Sequence, residues 1–285
     1  MELEISRDSN FEANIAKINS SFLNNSFDQK TNLNKSDFKN QIQEVERLKH
    51  ILKCISKTDY KSKIKILNQI TQINPSFRAW VDLGNAYYKI EDFKSALKSY
   101  YEAFKVVDYK KIDLYEAYKN VGNILAKEGD FDGATEYYHK SLSINPYSDS
   151  LLVNLGTLDI QYEDWSEALN RFRQAINVNP KNDKAWVGLA IVHNKMSDFD
   201  LAKANIETAV DLCPSNRTAI QLAATWAIQD SRYGRAIEIL SNYLHTVPVD
   251  EDMSILLIHC LEKQGFLEVA LFECEKVLLW NPHNA

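Results

Sequence analysis

Five prolines, Pro146, Pro180, Pro214, Pro248 and Pro282, stand 34 residues apart. Proline cannot continue a helical hydrogen-bond ladder beyond its first turn, so a proline at a fixed interval marks a recurring helix end. Each interval holds two stretches with apolar residues at three- and four-residue spacing, the mark of two amphipathic helices. From Leu114 to Pro146 the two stretches are joined by Gly129-Asp130-Phe131 and closed by Asn145-Pro146. One such pair cannot bury its own apolar face and must stack on its neighbours. The chain of 285 residues is therefore read as a row of units around a continuous core rather than as one to three globules.

A second layer of regularity lies inside the units. Residues 77–114 carry Trp80, Leu83, Gly84, Tyr87, Ala96, Tyr100 and Ala103. Unit 115–148 has Tyr118, Val121, Gly122, Ala134, Tyr138 and Pro146; unit 149–182 has Leu152, Leu155, Gly156, Ala168, Phe172, Ala175 and Pro180. Unit 183–216 has Trp186, Leu189, Ala190, Ala202, Ala209 and Pro214. Units 217–250 and 251–284 are looser, keeping Ala223, Ala224, Ala236 and Pro248, then Leu257, Ala270 and Pro282. An aromatic marks each interhelical turn (Phe93, Phe131, Trp165, Phe199, Tyr233), with Leu267 in the last unit.

This pattern resembles the tetratricopeptide repeat (TPR) over about 44–284. The resemblance implies an all-α fold, a right-handed α-solenoid superhelix of about seven helix-turn-helix units. In such a fold Gly84, Gly156, Ala96 and Ala168 let the two helices of a unit approach to about 8–10 Å. Trp80, Leu83 and Tyr87 fill the seam between pairs, which makes these aromatics structural rather than cofactor ligands.

The ends and one interior unit depart from the pattern. Residues 1–36 read as a flexible leader, in which Ser9 and Glu12 at capping-box spacing, followed by Phe11, Ile15, Ile18 and Phe22, allow a short amphipathic helix. Residues 37–76 read as a degenerate capping repeat. There Phe38, Ile42, Val45, Leu48, Leu52 and Ile55 form one face, Thr58-Asp59-Tyr60 the turn and Pro75 the end, with Ile51 where a small residue is usual. Unit 77–114 is four residues too long and lacks the proline, so its second helix is expected to run on through Phe104, Val106 and Val107. The helix Phe266–Trp280 is apolar on several sides, and arrays of this kind end on a polar outer face. Either the protein continues, or Phe272, Leu279 and Trp280 form a cap or oligomer interface.

Charge and motifs exclude several functions. A net charge of -6 lacks the basic excess of a nucleic-acid binder. No stretch reaches the roughly 18 apolar residues of a membrane span, and MELEISRDSN lacks the order of a secretory signal. The six histidines are scattered along the chain without ligand spacing, so no metal site is expected. Cys54, Cys213, Cys260 and Cys274 have no CxxC pairing and read as reduced core thiols, which fits a cytoplasmic location. There is no GxGxxG, P-loop, GxSxG or HExxH. Neither catalytic residues nor a cofactor are expected.

The resemblance places a binding groove on unit positions 2, 5, 9, 12 and 13 of the first helices. These are Glu116, Lys119, Asn123, Ala126 and Lys127; Ser150, Val153, Thr157, Ile160 and Gln161; and Lys184, Val187, Ile191, Asn194 and Lys195. Four lysines against one glutamate make this middle groove locally positive. Lys119, Asn123, Asn154 and Lys184 also match four of the five positions with which chaperone-binding TPR domains clamp a C-terminal carboxylate. The fifth, usually Arg, is Gly188. The expectation is a non-enzymatic scaffold that holds a peptide or helix bearing acidic or C-terminal carboxylate groups and supports complex assembly. Asn123 and Asn154 would hold its main chain, Lys119 and Lys184 would meet its acidic groups, and Val153, Val187 and Ile191 would give apolar contact, with Lys127, Thr157 and Lys195 lining the same face. Alternatives are a substrate-presenting arm of a larger enzyme such as a glycosyltransferase, a homo-oligomeric assembly factor, and a co-chaperone.

Overall fold

The structure, a computed structural model, describes residues 35–106 and 114–281. The described residues form fourteen α-helices in helix-turn-helix pairs. They are α1 (Lys35–Cys54) and α2 (Tyr60–Ile73), α3 (Phe77–Lys89) and α4 (Phe93–Phe104), α5 (Leu114–Glu128) and α6 (Phe131–Leu142), and α7 (Asp149–Gln161) and α8 (Trp165–Val178). The chain continues with α9 (Asp183–Lys195) and α10 (Phe199–Leu212), α11 (Arg217–Gln229) and α12 (Tyr233–Thr246), and α13 (Glu251–Lys263) and α14 (Leu267–Trp280). Two compact units divide them, Met1–Tyr109 and Lys110–Ala285. The division falls in the stretch where the four extra residues interrupt the 34-residue period, inside the expected run of six units. The expected leader helix from Ser9 to Phe22, Val107 and Pro282 lie outside the described residues.

Local chemistry starts and stops each helix. The second helices α2, α4, α6 and α8 begin behind Asp59, Asp92, Asp130 and Asp164, whose side chains accept from the N–H three residues on. That bond satisfies one of the orphan donors of a first turn. The residue before the cap must turn the chain sharply. Gly129 and Gly265 do so at φ 83° and 79°, while Glu91, Glu163, Ser197 and Ser231 do so at φ 58–66° despite carrying a Cβ.

Packing inside a pair rests on a ring laid over a glycine. A Cβ on Gly84 would stand 2.7 Å from the Tyr100 ring, and one on Gly122 would stand 2.6 Å from Tyr138. One on Gly156 would stand 3.0 Å from Phe172. All three rings are buried, so the glycine is the space the ring occupies. In the next two units the glycine becomes Ala190 or Ala224 and the ring becomes Ile206 or Leu240, all buried.

Polar bonds with a 33-residue offset join successive pairs in the second compact unit. The hydroxyls of Tyr115 and Ser148 lie 2.7 Å apart. Asn182 donates to Asp149 at 2.9 Å, Asn216 to Asp183 at 2.6 Å, and Arg217 to Asp250 at 2.8 Å. Burial pushes the Asp149 carboxyl up, but hydrogen bonds from Asn179 and Asn182 outweigh it and hold the group below the ordinary carboxylate range. Asp250 is likewise lowered, with bonds from Arg217 and Tyr243 overcoming its desolvation.

Several expectations need correction. α4 stops at Phe104, with Lys105 as its C-cap, so the predicted extension through Val106 does not form. The chain there satisfies its last carbonyls by short-range bonds from Lys105 and Val106, which ends the helix locally. On α1, Val45 and Leu48 are buried but Ile42 is 50% exposed, because the helix meets α2 over only its later turns. Of the four free thiols, Cys260 alone is buried, while Cys213 and Cys274 are half-buried and Cys54 is exposed.

Candidate peptide-binding face

The residues expected to bind lie on α5, α7 and α9, the first helices of three successive pairs in the second compact unit. Asn123 of α5 and Asn154 of α7 come together across the seam, with the Asn154 amide donating to Asn123 Oδ1 at 2.9 Å. The same oxygen accepts from the Tyr138 hydroxyl at 2.9 Å. Both lone pairs of that carbonyl are thus used, which holds the two half-buried amides in one orientation. Tyr138 belongs to α6, so this support comes from the partner helix of the pair.

The lysines do not share one environment. Lys119 is only 20% exposed in its side chain and pairs with Glu116 at 2.8 Å, lying over the Tyr115 ring at 5.2 Å. Its charge is therefore largely spent inside the chain. Lys184 and Lys195 are exposed, and among the described residues neither has an ion-pair partner. Lys127 is exposed near the end of α5. Thr157 is exposed, with its hydroxyl donating to the Val153 carbonyl at 2.8 Å, and Ile191 is half-buried.

Val153 and Val187 are 7% and 6% exposed and belong to the core between pairs. They pack the stack and offer a ligand little surface, so their expected role as ligand contacts is withdrawn. Gly188 is filled from the other side. A Cβ there would stand 2.4 Å from the Phe172 ring, so the fifth clamp position has neither the arginine nor room for one against that ring.

A shallow cleft of about 260 Å3 opens beside this face, lined by Asn194, Phe199, Ala202, Lys203, Trp226, Gln229 and Asp230. Lys203 and Asp230 close across it at 2.7 Å. It was not legible in the sequence, because three helices supply its walls. Neither the cleft nor the face brings together a nucleophile, a base and a donor. Among the described residues there is no cluster of metal-binding side chains, no buried side-chain nitrogen or oxygen left unpaired, and no helix long and apolar enough to cross a membrane. Phe272 and Leu279 are 67% and 82% exposed, while Trp280 is half-buried with Lys276 over its ring at 5.2 Å.

Known proteins share both pattern and fold. Family models of the tetratricopeptide repeat match residues 77–106, 115–148 and 153–217. The photosystem I assembly protein Ycf3 of Rippkaea orientalis is 37% identical over 67 residues, which is 24% of this chain and 38% of that protein. The match thus spans well under half of that relative's length. A tetratricopeptide repeat protein from Parabacteroides merdae has a TM-score of 0.61 at 18% identity, over 87% of this chain and 94% of the other. YrrB, a TPR protein with an unusual peptide-binding site, has a TM-score of 0.50 at 16% identity, over 64% of this chain and 89% of its own. Structural likeness at identities this low shows the fold alone. With its paired helices, ring-over-glycine packing and matching repeats, this chain is a tetratricopeptide repeat protein.

Proposed function

We propose that the chain is a non-enzymatic interaction module that holds an extended acidic peptide along α5, α7 and α9. One observation carries this reading: Lys184 and Lys195 are exposed and lack an internal ion-pair partner among the described residues, on the helix next to the Asn123–Asn154 pair. Eleven residues of helix separate the two lysines by about 16 Å, the span of roughly five residues of extended peptide. Half-buried Ile191 supplies apolar contact between them, and Thr157 and Asn154 supply polar contact one helix away. Lys119 contributes less than its position implies, since Glu116 already holds it. YrrB, a protein of the same architecture with a peptide-binding site, is in keeping with such a role.

The recognition is for acidic side chains along a peptide rather than for a chaperone tail, because the bidentate donor of the carboxylate clamp is missing at Gly188. Exposed charge pairs are worth about 0.2–1 kcal/mol each and are screened by salt. Binding should therefore be moderate and fall as ionic strength rises. Selection from a random displayed peptide library tests this. Acidic sequences should be enriched on the wild type and lost on Lys184→Glu plus Lys195→Glu, with Lys119→Glu having the smaller effect. Enrichment of uncharged sequences, or binding unchanged by the double reversal, overturns the reading.

A further inference from the structure

The last helix differs from the other second helices in a way that stacking does not explain. Residues 34 apart hold equivalent places, so each position of α14 has counterparts on α6, α8, α10 and α12. At the place of Phe272 those helices carry Glu136, Asn170, Ala204 and Glu238, all exposed. At the place of Leu279 they carry Ser143, Asn177, Asp211 and His245, again all exposed. A following helix pair packs on each of these helices and still leaves those places in solvent. Another repeat after α14 would cover the seam side of the helix but not Phe272 and Leu279, which are 67% and 82% exposed. Val269, 54% exposed, adds to the same outward stripe.

We infer that this outward stripe of α14 is a self-association surface that packs against α14 of a second copy in antiparallel fashion, centred on Phe272. The charges on the helix favour a second copy as the occupant. A two-fold axis at Phe272 sets each residue opposite the one equally far on the other side. Glu268 lies four residues before Phe272 and Lys276 four after it, all on one helical stripe. Each Glu268 then faces the partner's Lys276, twice per interface, while Leu279 faces the partner's Gly265, where no side chain obstructs it. Lys276 is half-buried at the edge of this face, where it pairs with the buried Glu273 at 3.0 Å and lies over the Trp280 ring at 5.2 Å. The partner's Glu268 thus adds a second contact to a lysine already held within the chain. The exposed Val269, Phe272 and Leu279 provide apolar surface on the order of a few hundred Å2, below the roughly 800 Å2 per partner of a standard interface, which fits a weak, reversible dimer. This site is separate from the face on α5, α7 and α9, and its test is independent of peptide binding.

Mass measurement by light scattering and sedimentation equilibrium over a wide concentration range tests the inference on the whole chain. The wild type should dimerise reversibly, and Phe272→Glu plus Leu279→Glu should weaken the dimer about 100-fold or more. Both residues are exposed, so the helical circular dichroism should be unchanged. Glu268→Lys alone and Lys276→Glu alone should each weaken the dimer by like-charge contact, but an equimolar mixture of the two should form a heterodimer, since each variant's altered charge then meets an opposite one. A wild type that stays monomeric throughout, or a dimer indifferent to the Phe272/Leu279 change, overturns the inference. A mixture of the two charge variants no tighter than either alone refutes the antiparallel register.

Discussion

Replacing Gly188 by alanine should destabilise the protein, although the change improves helix propensity. Alanine in a helix interior is favoured over glycine by about 1 kcal/mol. Against this stands the Phe172 ring, 1% exposed, which a Cβ at position 188 would meet at 2.4 Å. The ring cannot retreat, because Gly156 on the other side lies at 3.0 Å on the same measure. Overpacking of this kind costs about 1–3 kcal/mol, so the net effect is a loss of up to about 2 kcal/mol. Gly234 is the control. A Cβ there meets nothing within 4 Å and the residue is helical, so Gly234→Ala should stabilise by about 0.5 kcal/mol. Urea melts followed by circular dichroism measure both, with the slope watched because repeat arrays can lose all-or-none behaviour. Phe172→Leu should relieve the clash, since the equivalent place opposite Leu240 already holds Leu256. In the double-mutant cycle Gly188→Ala should then cost at least about 1 kcal/mol less when Phe172→Leu is already in place. If Gly188→Ala raises the urea midpoint as Gly234→Ala does, the ring does not fill the site and the argument against a clamp arginine fails with it.

Further outcomes follow from caps, turns and charges. Asp164→Ala removes the side-chain acceptor of the Glu167 N–H, 3.1 Å away, and should lower stability by about 1 kcal/mol in the same melts. Ser197→Gly relieves a residue held at φ 66° and should stabilise by several tenths of a kcal/mol to about 1 kcal/mol; no gain would mean that the turn is not strained. Asp149 and Asp250 are held below the ordinary carboxylate range, so the stability they provide is complete above their unfolded values near 4. It is lost as pH falls through the lower folded values. The melting-temperature difference between the wild type and Asp149→Asn should accordingly be largest at neutral pH and shrink towards pH 3; a constant difference contradicts the role given to Asn179 and Asn182. Lys184→Glu plus Lys195→Glu should leave melting unchanged, since neither lysine has an internal ion-pair partner among the described residues, while abolishing acidic-peptide capture.

Much of the architecture was legible because its causes are local. Prolines at a 34-residue interval, aspartates before the second helices and small residues facing large ones each act within a few turns of chain. α2 spans Tyr60–Ile73 and α14 ends at Trp280, because proline and capping chemistry act at the positions where they are written. The binding face was less legible. Lys119 and Lys184 look alike as letters, but Glu116 one turn away takes up Lys119 and nothing among the described residues pairs with Lys184. Val153 and Val187 fall at groove positions by count, yet the neighbouring pairs bury them. The sequence alone determined that the chain folds as repeated helix pairs, because periodic apolar faces and helix stops are properties of short stretches. Only the tertiary structure decided that Gly188 is occupied by Phe172, that Asn123 is locked by Tyr138, and which lysines remain available, because each of those depends on side chains brought together from different helices.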